Sequence, residues 1–485
     1  MSVGHKVGIL ARYLWRREGG YRELLVVAIP LVLSTASWTI QHFVDRMFLT
    51  WHSQEAIAAV LPSGILSFTL LSVFLGTASY VGTFIAQYEG AGQRERVGPI
   101  IWQGMYVAVV GGLIHLMLIP LSKPIFDLIG HSADIRGHET TYFRILCWAA
   151  FATIACSSMG GFYSGRGKTW PILWVNVGAT VVNTISNYVL IFGKWGFPEM
   201  GVGGAALGTV LSQYFSLAVY VVLLRRRRHN ETYNTMSAKR FRPALFLRLL
   251  RFGLPSGLQF FIDIAGIAVF TLLVGRLGKI AAAATSIAFN INMLAFMPMI
   301  GIGIAVSVLV GKYQGMERPR LSARSVWSGF AICMIYMSSV AAAYVLLPWV
   351  FIAPYATHAD RETFEPVRKL TVRLLQFVAL YSVFDTLNII FASGLKGAGD
   401  TFFVMVMVGV VSVVSLILPC IVFLMLLDGG IYAAWVILTV YVIVLGFAFL
   451  GRFLGGRWRT MKVIEERPPT LPATLPPAPG PEIEP

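Results

Sequence analysis

Residues 253–275 read GLPSGLQFFIDIAGIAVFTLLVG, and the one ionisable side chain in that stretch is Asp263. About 20 apolar residues in helical form cross the hydrocarbon core of a bilayer, so the stretch predicts a membrane-spanning helix with a carboxylate inside it. An ionised Asp at the centre of such a helix costs about 2.5–3.5 kcal/mol on insertion scales. A residue kept at that cost faces a bundle interior or a wet cavity and marks an ion or substrate route. Similar apolar runs occupy 24–46, 56–86, 99–121, 143–164, 170–193, 202–224, 280–310, 325–350, 371–393, 402–427 and 430–451, and they contain two more carboxylates, Asp45 and Asp385. β-Barrel strands would be segments of about 10 alternating residues. The chain is 56% hydrophobic and 13% charged, with mean hydropathy +0.71, far from soluble domains. The expected fold is an all-α polytopic membrane protein with twelve transmembrane helices.

The net charge of +16 would suit a nucleic-acid binder, but its placement argues otherwise. Most Lys and Arg fall in the termini and the even-numbered loops, which by the positive-inside rule puts both termini in the cytoplasm. The expected location is the plasma (inner) membrane. Arg225 to Arg228 and the basic stretch from Lys239 to Arg251 read as a membrane-facing cytoplasmic connection. The first run is too long for a signal-peptide core and is followed by further spans, so it is expected to stay as the first helix. Cys147, Cys156, Cys333 and Cys420 all lie in expected spans without CxxC spacing. No disulfide, metal centre or other cofactor is expected from them.

The halves on either side of the basic connection resemble each other. Pro30 and Pro255 lie 225 positions apart, as do Tyr88-Glu89-Gly90 and Tyr313-Gln314-Gly315. Gly165-Arg166-Gly167-Lys168-Thr169 echoes Gly397-Ala398-Gly399-Asp400-Thr401 at an offset of 232. Six helices per half is an even number, so the halves share one orientation, a parallel repeat about an axis along the membrane normal. The expected organisation is an N-terminal segment at 1–23, an N-lobe at 24–224, the connection at 225–252 and a C-lobe at 253–455. A Pro-rich tail with a disordered composition is expected at 456–485. In transporters built this way the substrate site lies between the halves near the midplane. Residues 1–23, with Lys6, Arg12, Arg16, Arg17 and Arg22 among apolar positions, suit a helix lying on the inner leaflet.

Pro30 through Gln41-His42-Phe43-Val44-Asp45, Gly253-Leu254-Pro255-Ser256-Gly257 with Asp263, and Tyr381 to Asp385 leading to Gly394-Leu-Lys-Gly397 resemble the multidrug and toxin extrusion (MATE) transporters, NorM-like branch. The resemblance covers roughly residues 20–455. It implies two six-helix lobes that export large organic cations against entering Na⁺ or H⁺, by alternating access. Asp263, Asp385 and Tyr381 match the branch's cation-site positions, and Asn290 a neighbouring polar one. Two carboxylates facing one cavity can share a proton or offer hard oxygen ligands to Na⁺. Tyr381 and Asp385 are four apart and share a helix face. Asp45, Asn183 and Asn187, with Thr209, resemble a second site known from a related branch. Here Gln41 stands at its Tyr position and Asn187 at an acidic one. Asp45 beside Arg46 also reads as an ion pair near a helix end. Pro30 reads as a kink in the first helix or as its start.

Other features read more plainly. Gly165-Arg-Gly-Lys-Thr lacks the GxxxxGK[ST] spacing of a phosphate loop. Met293, Met297, Met299, Phe289 and Phe296 pack, face lipid, or line an adaptable drug cavity. His115 reads as a packed residue. The spans hold no HExxH and no GxSxG, so the chain reads as a transporter and not an enzyme. The expected partners are lipophilic cationic small molecules and membrane lipids, with no nucleic acid, and the expected state is a monomer. The alternative is a lipid-linked oligosaccharide flippase, which would need a cationic cavity.

Overall fold

The structure is a computed structural model that describes Trp15 and residues 17–129, 131–356, 361–427 and 429–465. All regular secondary structure among these residues is helical. The N-lobe comprises α1 (Tyr21–His52), α2 (Gln54–Ser79, continued by Val81–Gly90), α3 (Val97–Met117), α4 (Ala133–Gly165), α5 (Trp170–Ile191) and α6 (Val202–Leu224). The C-lobe comprises α7 (Pro243–Gly275), α8 (Lys279–Gly315), α9 (Pro319–Leu346), α10 (Arg361–Ala398), α11 (Thr401–Val411, continued by wider turns to Leu426) and α12 (Ile431–Leu454). Helices are the form that satisfies every backbone group within one segment when water is absent. Eleven of the described helices are long and apolar enough to cross a membrane. The twelfth, α5, carries Asn176, Asn183 and Asn187, which lower its hydropathy.

Pro171, Pro243 and Pro319 stand in the first turns of α5, α7 and α9, where a missing N–H costs nothing. Pro30 is the tenth residue of α1, inside a continuous helix and not at its start. There it removes one backbone hydrogen bond. The repeated glycine motifs form equivalent turns. Gly167 after α4 and Gly399 after α10 both adopt positive φ, +68° and +116°, which glycine does without steric cost.

The lobes meet where α1 packs on α8 and α7 packs on α2. Two glycine pairs at the 225-residue offset permit this. A Cβ on Gly76 of α2 would stand 2.7 Å from Gly257 Cα of α7, and one on Gly301 of α8 would stand 2.9 Å from the Val32 backbone of α1. Nearer the terminal face, meaning the face that bears the described ends of the chain, a Cβ on Gly90 would meet Lys312 O at 2.0 Å. One on Gly315 would meet Gln87 O at 2.1 Å. The apolar core follows the same crossing. Leu24, Val27, Ala28 and Leu31 of α1 pack with the C-lobe, while Leu245 and Leu249 of α7 pack with the N-lobe.

Two expected boundaries shift. Helix α7 begins at Pro243, inside the expected connection 225–252. The rest of the connection folds back on α3: the Trp102 indole donates to Thr235 O (2.8 Å) and the Tyr106 hydroxyl to Lys239 O (2.7 Å). Residues 457–465, placed by composition in the tail, form a folded strap whose Trp458 and Val463 are buried. These side chains bury apolar area that the Pro-rich remainder does not offer. Residues 466–485, and most of 1–16 with its expected surface helix, lie outside the described residues.

The strap crosses the seam between the lobes. The Gln314 amide of α8 donates to the carbonyls of Trp458, Arg459 and Met461 (3.0, 2.8 and 2.9 Å). Val463 N–H donates to Gln87 Oε1 of α2 (2.9 Å). Glu465 then accepts from the Tyr88 hydroxyl (2.8 Å) and pairs with Arg96 (2.9 Å) and Arg248 (3.3 Å). On the other side of the pseudo-twofold, Tyr313 donates to Glu23 (2.5 Å) and Lys312 pairs with the same carboxylate (2.9 Å). The position 225 residues after Glu23 is Arg248. The second half thus lacks its own carboxylate there, and Glu465 of the strap supplies one.

Candidate functional site

The C-lobe site is built on α7, α10 and α12. One turn before Asp263 on α7, Gln259 donates its amide N–H to Asp263 Oδ2 at 2.6 Å. Gln259 Oε1 in turn accepts from Lys396 Nζ of α10 at 3.1 Å. An amide therefore bridges an ammonium and a carboxylate in the lobe interior. Asp385, buried on α10, accepts from Asn388 one turn further on (3.0 Å). The two carboxylates act on each other electrostatically, and both act on the Tyr441 hydroxyl of α12. Tyr441 accepts from Ser412 of α11 (3.1 Å). Tyr381 is buried one turn before Asp385 and against Trp435. Its hydroxyl feels the Asp385 charge without a hydrogen bond to it among the described residues.

Asn290 departs from its expected place. It is exposed on α8 and makes no hydrogen bond to the acidic pair. Two positions on, Asn292 turns inward and accepts from Ser382 of α10 at 3.3 Å. The α-helical period swings residues 290 and 292 about 200° apart, so one of them faces away. Gln259, Asn388, Tyr441 and Lys396 were not singled out from the sequence. Helical spacing links Gln259 to Asp263 and Asn388 to Asp385 and could have found those two. Lys396 lies in the quoted Gly394-Leu-Lys-Gly397 motif, 133 residues from Asp263. It adds an ammonium beside the carboxylates of the C-lobe.

The N-lobe cluster rests on α1 and α5, which run parallel in one register. Thr169 Oγ1 donates to Val27 O (2.9 Å), Asn176 to Ser34 Oγ, Thr180 to Ser37 O (3.3 Å), and Asn187 Nδ2 to Asp45 Oδ1 (2.5 Å). Asn187 also reaches Asn183 Oδ1 at 3.3 Å. All three of Asp45, Asn183 and Asn187 are buried. Asn187 Oδ1 and Asn183 Nδ2 have no protein partner among the described residues, leaving one acceptor and one donor open inside the lobe. Asn187 fits there because Gly208 of α6 has no Cβ; one would stand 1.9 Å from Asn187 Oδ1.

Three expectations for this lobe are corrected. Thr209 turns its hydroxyl onto its own helix, to Ala205 O (3.2 Å), and α6 contributes the space at Gly208 instead. Gln41 is buried a turn before Asp45 and makes no hydrogen bond to the cluster among the described residues. Asp45 makes no ion pair with Arg46 among the described residues, and the Arg46 side chain is exposed. Neighbouring residues on a helix point about 100° apart. Of the remaining features, His115 is packed against Phe74 and bonded to Gly111 O (2.8 Å). Met297 and Met299 are core residues, whereas Met293 is exposed.

Comparison with known proteins agrees with this architecture. The family model described as MatE matches residues 30–189 and 255–421, the two halves in turn. The "Probable multidrug resistance protein NorM" of Xanthomonas campestris pv. campestris is 29% identical over 78% of this chain and 81% of its own. The protein of the same name from Thermotoga maritima is 25% identical over 91% and 94%. A solved structure titled "Outward-facing conformation of a multidrug resistance MATE family transporter of the MOP superfamily" superposes with TM-score 0.82 at 18% identity, covering 92% and 97% of the two chains. Asp45, Asn183 and Asn187 fall within the first matched stretch, and Gln259, Asp263, Asp385 and Lys396 within the second. The chain is a multi-pass transporter and not an enzyme, and it belongs to the MatE family, on its NorM-like branch.

Proposed function

We propose that this protein is a secondary antiporter that exports lipophilic organic cations in exchange for Na⁺ or H⁺. The observation that supports it best is the pair Asp263 and Asp385, each in the C-lobe interior with a single amide donor among the described residues. Each carboxylate therefore keeps lone pairs free for a proton, a Na⁺ ion or a cationic substrate. The membrane potential supplies about 2.3 kcal/mol per charge per 100 mV to an entering cation. Cation binding at the pair favours one arrangement of the lobes, and the drug is released on the other side. In this arrangement the lobes are in contact on the terminal face, which the positive-inside reading puts in the cytoplasm. The N-lobe cluster, with one carboxylate and two amides, plays the lesser part. The flippase alternative needs a cationic cavity, and the interior ammonium of Lys396 is engaged by Gln259 beside Asp263.

The test is ethidium efflux from proteoliposomes under separately imposed Na⁺ and pH gradients. One of the two gradients should drive export, and Asp385→Asn should abolish it. Export that needs neither gradient would overturn the proposal. So would tight binding of an anionic lipid pyrophosphate with none of ethidium.

A further inference from the structure

We propose that Lys396 is a tethered cation that competes with the transported cation for Asp263 and ties the state of that site to the seam between the lobes. The side chain and the backbone of this residue face different partners. Its Nζ bonds to Gln259 Oε1, and Gln259 bonds to Asp263 (3.1 and 2.6 Å). Asp400, four residues on, is not available to it, being held by Arg452 at 2.7 and 3.2 Å. The backbone carbonyl of Lys396 accepts from the Tyr80 hydroxyl of the N-lobe (2.7 Å). The next two carbonyls, of Gly397 and Ala398, accept from Gln87 (3.1 and 3.4 Å), the same side chain that holds the strap. The last turn of α10 thus joins the acidic site to the closed seam.

The electrostatics give this arrangement a direction. With no cation bound, the ammonium and the bridging amide balance the half-buried Asp263. A cation seated on Asp263 makes that balance redundant, and two like charges in a low-dielectric interior repel. The ammonium is displaced from Gln259, and the α10 turn that Tyr80 and Gln87 grip is loosened. Binding can move an equilibrium only by its differential affinity for the two states, and Lys396 provides such a difference. It acts as a positioning residue for a carboxylate whose coupling role belongs to the function proposed above.

The experiment measures ethidium affinity by fluorescence anisotropy in the purified full-length protein, together with pulsed electron-resonance distances between spin labels on the terminal face of each lobe. Lys396→Met should bind ethidium about tenfold more tightly or better, and its label distance should no longer change on binding. Lys396→Arg should stay within about threefold of wild type in both readouts. Gln259→Leu, which removes the bridge and keeps both charges, should lose the distance response. Equal affinity and equal distance response in wild type and Lys396→Met would overturn the proposal, as would loss of binding in Lys396→Met and Lys396→Arg alike. Proteoliposome efflux by wild type is judged separately: its absence would sink the antiporter reading, while the Lys396 comparison would still be decided by affinity and distance.

Discussion

At the scale of single residues, the C-lobe carboxylates have one donor each among the described residues, so replacing either with an amide removes the charge and leaves the packing nearly unchanged. Asp385→Asn is expected to lower gradient-driven efflux at least 100-fold, to background, with normal expression. Asp263→Asn should do the same, while Tyr381→Phe, which removes a hydroxyl and no charge, should keep a measurable rate. Asp45→Asn should be milder than both, because the N-lobe cluster holds a single carboxylate. Initial efflux rates normalised to protein give the ranking, and Asp45→Asn as the most damaging change would move the coupling site to the N-lobe. Asn187→Ala is different in kind. It removes the donor to Asp45 and leaves a buried acceptor unpaired, which costs about 1–3 kcal/mol. A lower unfolding temperature in detergent would register it.

At the scale of elements, the seam depends on close backbone approach and on the strap. Gly301→Leu would drive a side chain into the Val32 backbone. It should wedge α1 from α8 and raise solvent access at the terminal face, read as faster labelling of a cysteine placed there. The strap makes a second, electrostatic demand. Burial pushes the Glu465 carboxyl up, but backbone hydrogen bonding, the Tyr88 hydroxyl and the Arg248 and Arg96 guanidiniums outweigh it and hold it below the usual 4.5. A depressed carboxylate stabilises the folded contact above its unfolded value, and that contribution is lost as pH falls through the lower folded value. The strap should therefore hold at neutral pH and release below about pH 4.5. Glu465→Gln should release it at pH 7, giving greater protease cleavage between Gly456 and Glu465, and unchanged cleavage would contradict this account.

At the scale of the whole molecule, the interior carboxylates outnumber the interior lysine, and a cavity of that net sign attracts cations and repels anions. Ethidium should be exported, and an anionic dye such as fluorescein should not, in the same vesicles under the same gradient. Competition between ethidium and the coupling cation should appear as a rise in apparent KM with a smaller change in maximal rate. A fluorescein rate equal to that of ethidium would reverse the assigned polarity.

The twelve helices, their parallel two-half arrangement and the identity of the three aspartates were legible in the chain, because each rests on local or periodic properties. A span is a matter of apolar length. A buried Asp stands out by its insertion cost, and the repeat by a constant offset between motifs. Helix α5 was legible despite Asn176, Asn183 and Asn187, since those polar positions interrupt an otherwise apolar run. Which polar residues meet was a different matter. Asn290 and Thr209 have suitable chemistry and do not join the clusters, while Asn292 turns to Ser382 and Gly208 makes room for Asn187, because helix rotation is set by packing on neighbouring helices. Lys396 reaches Asp263 only once α10 packs near α7. Glu465 fills a carboxylate position missing from the second half only because the strap folds across the seam. Chain composition determined what lies in the membrane; long-range packing, which joins residues more than a hundred positions apart, decided which charges share a site.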